Sequence, residues 1–246
     1  MKNFLVLGGS GNLGSALKKN RFFNKRSYFP TKKELNILSL RKILSFVKKK
    51  NIKLIINCAA IARMRECEKN RLKAFDINVF GTFNLLKSIN KIDENIKIVH
   101  ISSDAVYQSE KGNYSEQSKL QPYNFYGFTK ILSEKIIINL KNYMIIRTRF
   151  FDKNKIIFSN SAIDSYSSSI EINQLVKTIK KLINKNYNGI INVGGERISD
   201  YNLYKKFKKK IKKCKQRDIQ KELEFQISKD ASMNCKLLKN VLNDKG

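Results

Sequence analysis

The sequence predicts an α/β fold: a doubly wound, mainly parallel sheet with helices on both faces and a small, shortened C-terminal lobe. Three observations carry the expectation. Short apolar runs of strand length alternate with helical patterns, as expected of strands joined by right-handed helical crossovers. The first of these runs ends on glycines that open a helix, Gly8-Gly9-Ser10-Gly11-Asn12-Leu13-Gly14. The 246 residues suit one α/β domain with a small appended lobe and are enough to bury a sizeable core.

Phe4-Leu5-Val6-Leu7 is too short for the apolar region of a signal peptide and reads as a buried strand. Leu13 to Lys19 begins a helix directly after the glycines, and a second strand is expected around Arg26 to Phe29. Ser39 to Lys50 reads as a helix capped by Ser39, with Leu40, Ile43, Leu44 and Val47 turned inward. Lys53 to Asn57 is a buried strand, Arg71 to Asn90 one long helix, and Ile96 to Ile101 a strand. Asn124 to Leu140 is helical, Tyr143 to Arg147 a strand, Glu171 to Asn184 a helix and Gly189 to Val193 a strand. Across the basic run Lys205 to Lys213, Leu203, Phe207 and Ile211 recur every four residues, which predicts a helix with one apolar and one cationic face.

The 50 Lys and Arg against 20 Asp and Glu give a formal charge of +30. Such a charge attracts polyanions non-specifically. Lysine, asparagine and isoleucine are all abundant while Trp is absent and Pro occurs twice, the joint skew that an AT-rich coding sequence would produce. Nucleic-acid binding is therefore expected only as a non-specific effect of charge, and no reader motif or aromatic-studded basic surface is evident. No run approaches the length of a membrane span, and the chain reads as cytoplasmic. Cys58, Cys67, Cys214 and Cys235 lack CxxC spacing and read as free thiols. No His, Cys or carboxylate cluster has metal-ligand spacing.

The chemistry-bearing pattern is an order of residues. Gly8, Gly11 and Gly14 stand between a strand and a helix, where missing side chains let backbone approach a pyrophosphate and the helix N-terminus supplies donors. Ser103 follows at the end of a strand, and Tyr126 and Lys130 stand one helical turn apart. Tyr-x-x-x-Lys alone means little, since five of the ten tyrosines match it (Tyr28, Tyr107, Tyr126, Tyr201 and Tyr204). Only Tyr126 follows both the glycine loop and such a serine.

The glycine loop, Ile56-Asn57-Cys58-Ala59-Ala60, Asn78-Val79-Phe80-Gly81-Thr82, Ser102-Ser103-Asp104-Ala105-Val106-Tyr107 and Tyr126-Gly127-Phe128-Thr129-Lys130 together resemble the extended short-chain dehydrogenase/reductase superfamily. Within it, Gly112-Asn113-Tyr114-Ser115-Glu116 and Gln121-Pro122-Tyr123-Asn124-Phe125-Tyr126-Gly127 are most similar to the dTDP-4-dehydrorhamnose reductase family. The resemblance implies a Rossmann-like NAD(P)-binding domain over residues 1–150. A reduced substrate-binding lobe with sheet-completing elements would fill 151–246.

It further implies that Tyr126 is the general acid, protonating a ketone oxygen as hydride arrives, and that Ser103 hydrogen-bonds the same oxygen. Lys130 would lower the tyrosine's proton affinity and hold the nicotinamide ribose. Cofactor-binding positions carried over are Gly8, Ser10, Gly11, Asn12, Leu13, Gly14, Lys32, Asn36, Ile37, Cys58, Ala59, Ala60, Asn78, Ser102, Tyr126 and Lys130. Asn78 would also support the active-site helix through backbone hydrogen bonds. No acidic residue ends the second strand to accept a ribose 2'-hydroxyl, and Lys32 and Arg26 are placed to neutralise a 2'-phosphate, so NADP(H) is expected over NAD(H).

Only Asp152 to Ser169 separates the strand near Arg147 from the helix at Glu171, a shorter insertion than the family's norm, and Arg149 stands where a small residue is usual. His100, the only histidine, falls within a strand and is expected to be a packed imidazole, not a catalytic one. Three readings follow. The first is a reductase of a nucleotide-activated 4-keto sugar for cell-surface polysaccharide, or an epimerase or dehydratase of such a sugar, working as a possible homodimer. The second is a cofactor-binding regulatory subunit without turnover, and the third a nucleic-acid-binding module motivated only by charge.

Overall fold

The computed structural model describes residues 2–244. In chain order its elements begin with β1 (Phe4–Leu7), α1 (Asn12–Lys19), α2 (Arg21–Arg26), β2 (Ser27–Tyr28), α3 (Leu40–Lys49) and β3 (Leu54–Asn57). Next come α4 (Met64–Lys69), α5 (Arg71–Phe75), a π-helical turn (Asp76–Phe80), α6 (Gly81–Ile92) and β4 (Lys97–Ser103). The middle of the chain holds α7 (Phe125–Ile137) and β5 (Tyr143–Thr148). The remainder comprises β6 (Phe150–Phe151), β7 (Asn160–Ala162), β8 (Tyr166–Ser167), β9 (Ile170–Glu171), α8 (Ile172–Asn184), β10 (Gly189–Val193) and β11 (Ile198–Ser199). It closes with α9 (Asp200–Lys205), β12 (Lys212–Cys214), α10 (Gln216–Gln220) and α11 (Lys236–Asn243).

Six strands form one parallel sheet in the order β2-β1-β3-β4-β5-β10. The period-2 alternation of side chains divides each strand between two cores. Val6, Ile56, Val99, Ile146 and Ile191 pack with Leu13 and Leu17 of α1 and Leu175, Ile179 and Leu182 of α8. Leu5, Leu7, Ile55, Ile98 and Ile145 face the other way, against Ile43 and Val47 of α3, Leu85 and Ile89 of α6 and Ile137 of α7. Strands buried on both faces read as continuous apolar runs, which is why the doubly wound class was visible in the sequence. No helix among the described residues is long and apolar enough to cross a membrane.

Two expected elements differ. The long helix is three pieces, with α5 capped by Asn70, whose side chain accepts from the Lys73 amide, and a π turn before α6. The widened turn holds Asn78, whose amide accepts from the Ile61 N–H at 2.8 Å and donates to Thr129 Oγ1 at 2.9 Å. The basic run is not a helix: α9 ends at Lys205, and Lys212–Cys214 pairs in parallel with Asn160–Ala162. Leu203 and Ile211 are buried, but from a helix and a strand approach respectively, while Phe207 is exposed. A helix through so many adjacent lysines would stack like charges one turn apart, and strand pairing separates them.

A buried polar network ties the central strands to α7. Arg147 of β5 forks onto Glu134 of α7, Nη2 to Oε2 at 2.7 Å and Nε to Oε1 at 3.1 Å, with both side chains nearly fully buried. Ser102 of β4 donates to the same carboxylate. Arg147 Nη1 also donates to Tyr107 Oη at 3.0 Å, and Tyr107 donates to Asn192 Oδ1 of β10 at 2.8 Å. Removing one partner of such a pair leaves the other charge buried and uncompensated. Glu134→Leu is therefore expected to cost about 3–5 kcal/mol in urea unfolding, and adding Arg147→Leu to return part of that loss; a double variant as unstable as the sum of the singles would exclude this account.

Candidate active site

The chain leaves β1 at Gly8 with a φ of +78°, and a Cβ there would stand 2.7 Å from the Cys58 carbonyl and the Ala59 amide. Glycine thus lets the first loop press against the end of β3. Helix α1 begins at Asn12 behind Gly11, with no side-chain cap. The first amides of α1 therefore have no partner within the helix and point, with its partial positive charge, toward the loop.

Two adjoining cavities lie along the carboxyl ends of β1, β3 and β4, where doubly wound sheets bind ligands. The outer one, about 240 Å³, is lined by Gly8, Ser10, Gly11, Lys32, Asn36, Ile37, Cys58, Ala59 and Ala60, among others. The deeper one, about 310 Å³, is lined by Gly11, Asn12, Leu13, Gly14, Ser102, Ser103 and Tyr126, with Asp104, Thr148 and Arg149. They share Gly8, Gly11, Cys58 and Ala60 and so form one crevice. Most of the expected site residues are thus brought together.

Asn78 and Lys130 are the two that do not line it. Asn78 is buried and bridges the segment after β3 to Thr129 on α7, beside Tyr126 and Lys130. Lys130 is 1% exposed and places Nζ 3.1 Å from His100 Nε2 on β4. Arg26, offered from sequence as a phosphate partner, stacks its guanidinium over Phe22 at 4.4 Å, and only Lys32 of that pair faces the crevice.

Local geometry aims the polar groups. Asn124 caps α7 by accepting the Gly127 amide at 2.9 Å, and the Glu68 carboxylate accepts the Phe125 amide at 2.8 Å. Gly127 permits contact between α7 and the exit of β4, since a Cβ there would meet the Ala105 carbonyl at 2.1 Å. Ser103 donates to Asp104 Oδ1 at 3.0 Å and accepts the Ala105 amide at 3.2 Å. Arg149 Nη1 lies 3.6 Å from Asp104 Oδ2 and 3.2 Å from Ser228 Oγ. The same guanidinium borders a third cavity of about 230 Å³ with Phe158, Asp200 and Tyr204.

Burial pushes the Tyr126 phenol above its ordinary value, the hydrogen bond with Ser103 opposes this, and the Asp104 charge adds to it. Burial likewise raises Asp104, against the pull of Arg149. Lys130 is drawn down to about 8 by burial, with Glu134 acting in the opposite direction. The Lys130 amino group faces His100, and Ser103 is the group that eases the phenol. Sequence reasoning missed Asp104 and Thr148, both polar residues at strand exits; the position of Asp104 directly after Ser103 was the available signal.

Comparison with known proteins extends the picture. The family model of the RmlD substrate binding domain matches residues 1–165. The spore coat polysaccharide biosynthesis protein SpsK of Bacillus subtilis is 33% identical over 154 residues, covering 60% of this chain and 53% of that protein. The dTDP-4-keto-6-deoxy-D-glucose reductase of Streptomyces niveus is 27% identical over 180 residues, covering 72% of this chain and 60% of its own length. The chain thus spans little more than half the length of these curated relatives. The crystal structure of a dTDP-4-dehydrorhamnose reductase from Bacillus anthracis in complex with NADP shares the fold, with a TM-score of 0.86 over 97% of this chain and 92% of that one at 23% identity. With the family match extending over residues 1–165 of 246, the chain belongs to the RmlD substrate binding domain family.

Proposed function

We propose that the protein is a cytoplasmic NADP(H)-dependent reductase of a nucleotide-activated 4-keto sugar, serving cell-surface polysaccharide synthesis. The observation that carries the reading is that Tyr126 and Ser103 line the same crevice as the glycine loop and the uncapped start of α1. The crevice fits a dinucleotide by its own chemistry: side-chain-free backbone at Gly8 and free amides at the helix end suit a pyrophosphate. When bound, a nicotinamide cofactor supplies the hydride. Tyr126, kept protonated at neutral pH by burial, would give its proton to the ketone oxygen, and that oxygen would also accept from Ser103. Lys130 and the amides of α1 would hold the cofactor, and Lys32 its 2'-phosphate. Exposed Phe80, Phe83 and Phe128, carried on the mutually packed π turn, α6 and α7, suit a homodimer.

Arg149 favours a second reading, a cofactor-binding regulatory subunit, because its guanidinium stands between the deeper crevice and the third cavity. Turnover separates the two. NADPH oxidation is expected with a nucleotide-linked 4-keto sugar, and Tyr126→Phe is expected to slow it by about 10²–10⁴-fold while NADPH binding persists; tight NADPH binding with no turnover across a sugar-nucleotide panel would select the regulatory reading. Titration should further show NADPH binding more tightly than NADH, with Lys32→Ala removing most of the difference. Equal affinities for the two in the unaltered protein would rule out the 2'-phosphate contact.

A further inference from the structure

Asn57 and His100 are paired neighbours on β3 and β4, and both are almost wholly buried. Their hydrogen bonds settle where the imidazole keeps its proton. Asn57 Oδ1 accepts the Ala59 amide at 3.1 Å, which leaves its Nδ2 as the group 3.3 Å from His100 Nδ1. Nδ1 must accept from it, so the ring proton resides on Nε2. Nε2 lies 3.2 Å from Ser133 Oγ, and that hydroxyl donates its own proton to the Lys130 carbonyl at 2.9 Å, so Ser133 receives the ring proton. Lys130 Nζ, 3.1 Å from Nε2, therefore meets an N–H where an ammonium needs a lone pair.

We propose that His100 is a positioning residue: locked as the Nε2–H tautomer by Asn57, it disfavours the ammonium of Lys130 in the protein alone, so that in mildly alkaline solution binding of NADP(H) draws a proton from solvent onto Nζ. The inference rests on the reading of Lys130 as a group that serves the cofactor. A neutral amine sits beside that N–H without the repulsion an ammonium would meet, and an oxygen acceptor on the cofactor would reverse the preference by stabilising the ammonium. The groups facing Nζ are consistent with this assignment. Glu134 on α7 is committed to Arg147, and Cys58 after β3 and Cys67 on α4 are held as thiols by burial up to about 12. Burial holds His100 well below its ordinary value, so the ring stays neutral, while Lys130 at about 8 is the group that titrates between pH 7 and 9.

Calorimetric titration of the full chain with NADPH, in buffers of differing ionisation enthalpy, counts the protons taken up. At pH 8.5 the unaltered protein should take up most of one proton per NADPH and at pH 7 little, and Lys130→Met should take up none. Asn57→Asp still accepts the Ala59 amide but accepts from Nδ1 as well, which moves the ring proton to that nitrogen and turns a lone pair toward Nζ. Its uptake at pH 8.5 should fall to near the pH 7 level. On a His100→Phe background the same Asn57→Asp change should lower uptake less, through the charge of the carboxylate alone, since no tautomer remains to flip. Thermal melting and NADPH affinity at pH 7 report whether each variant is folded. NADPH binding without uptake in the unaltered protein, or an equal effect of Asn57→Asp with and without the ring, would overturn the proposal; failure to bind NADPH at all would instead overturn the reading of the site beneath it.

Discussion

The buried fork between Arg147 and Glu134 is the constraint on which the crevice depends. Two full charges in an apolar interior are stable only in close mutual contact with their remaining valences filled. Here Ser102 completes the carboxylate, while Tyr107 and the Glu116 carbonyl complete the guanidinium. The pair therefore has one acceptable geometry, and that geometry sets α7 against β4 and β5. Tyr126 and Lys130 lie about two turns and one turn before Glu134 on the same helix, so their placement over the strand ends follows from the position of the ion pair.

The same helix is held at its other end by polar contacts instead of apolar ones. Asn124 and Glu68 satisfy the first amides of α7, and Asn78 reaches Thr129 from the π turn. A regular α-helix through Asp76–Phe80 would rotate Asn78 away from both the Ile61 backbone and Thr129, so the local widening is tied to the bridge it makes. Such single-turn widenings recur at functional sites. Rigidity at both ends of α7 leaves the Tyr126 side chain half-buried at the wall of the crevice, where burial favours the protonated phenol.

Much of this was legible in the sequence because two-sided burial writes itself as apolar runs and because capping residues are local. The strands at Phe4–Leu7 and Gly189–Val193, the Ser39 cap and the crossing of the glycine loop into α1 could all be read from neighbouring residues. The basic run around Lys205 misled for a physical reason: the spacing of Leu203, Phe207 and Ile211 fits a helix, but pairing with Asn160–Ala162, some fifty residues away, decided the conformation of Lys212–Cys214. His100 was read as a packed imidazole, and it is buried; its contact with Lys130 depends on the register of β4 against β3 and on the rotation of α7, neither of which a single sequence displays.

The family match ends at residue 165 while the fold is shared over nearly the whole chain, and Arg149 lies close to that limit. A guanidinium at the end of β5 would be costly beside a nicotinamide if it stood alone, but its charge is shared with Asp104 and Asp200. That pairing also raises the stakes for Ser103, whose proton is directed at Asp104 Oδ1. For Ser103 to donate to a substrate oxygen, Asp104 must exchange that hydrogen bond for a closer contact with Arg149, whose Nη1 already stands within 3.6 Å of the other carboxylate oxygen. On the proposed reading, the arginine would thus both narrow the space for a sugar and be the group able to release the serine for one that fits.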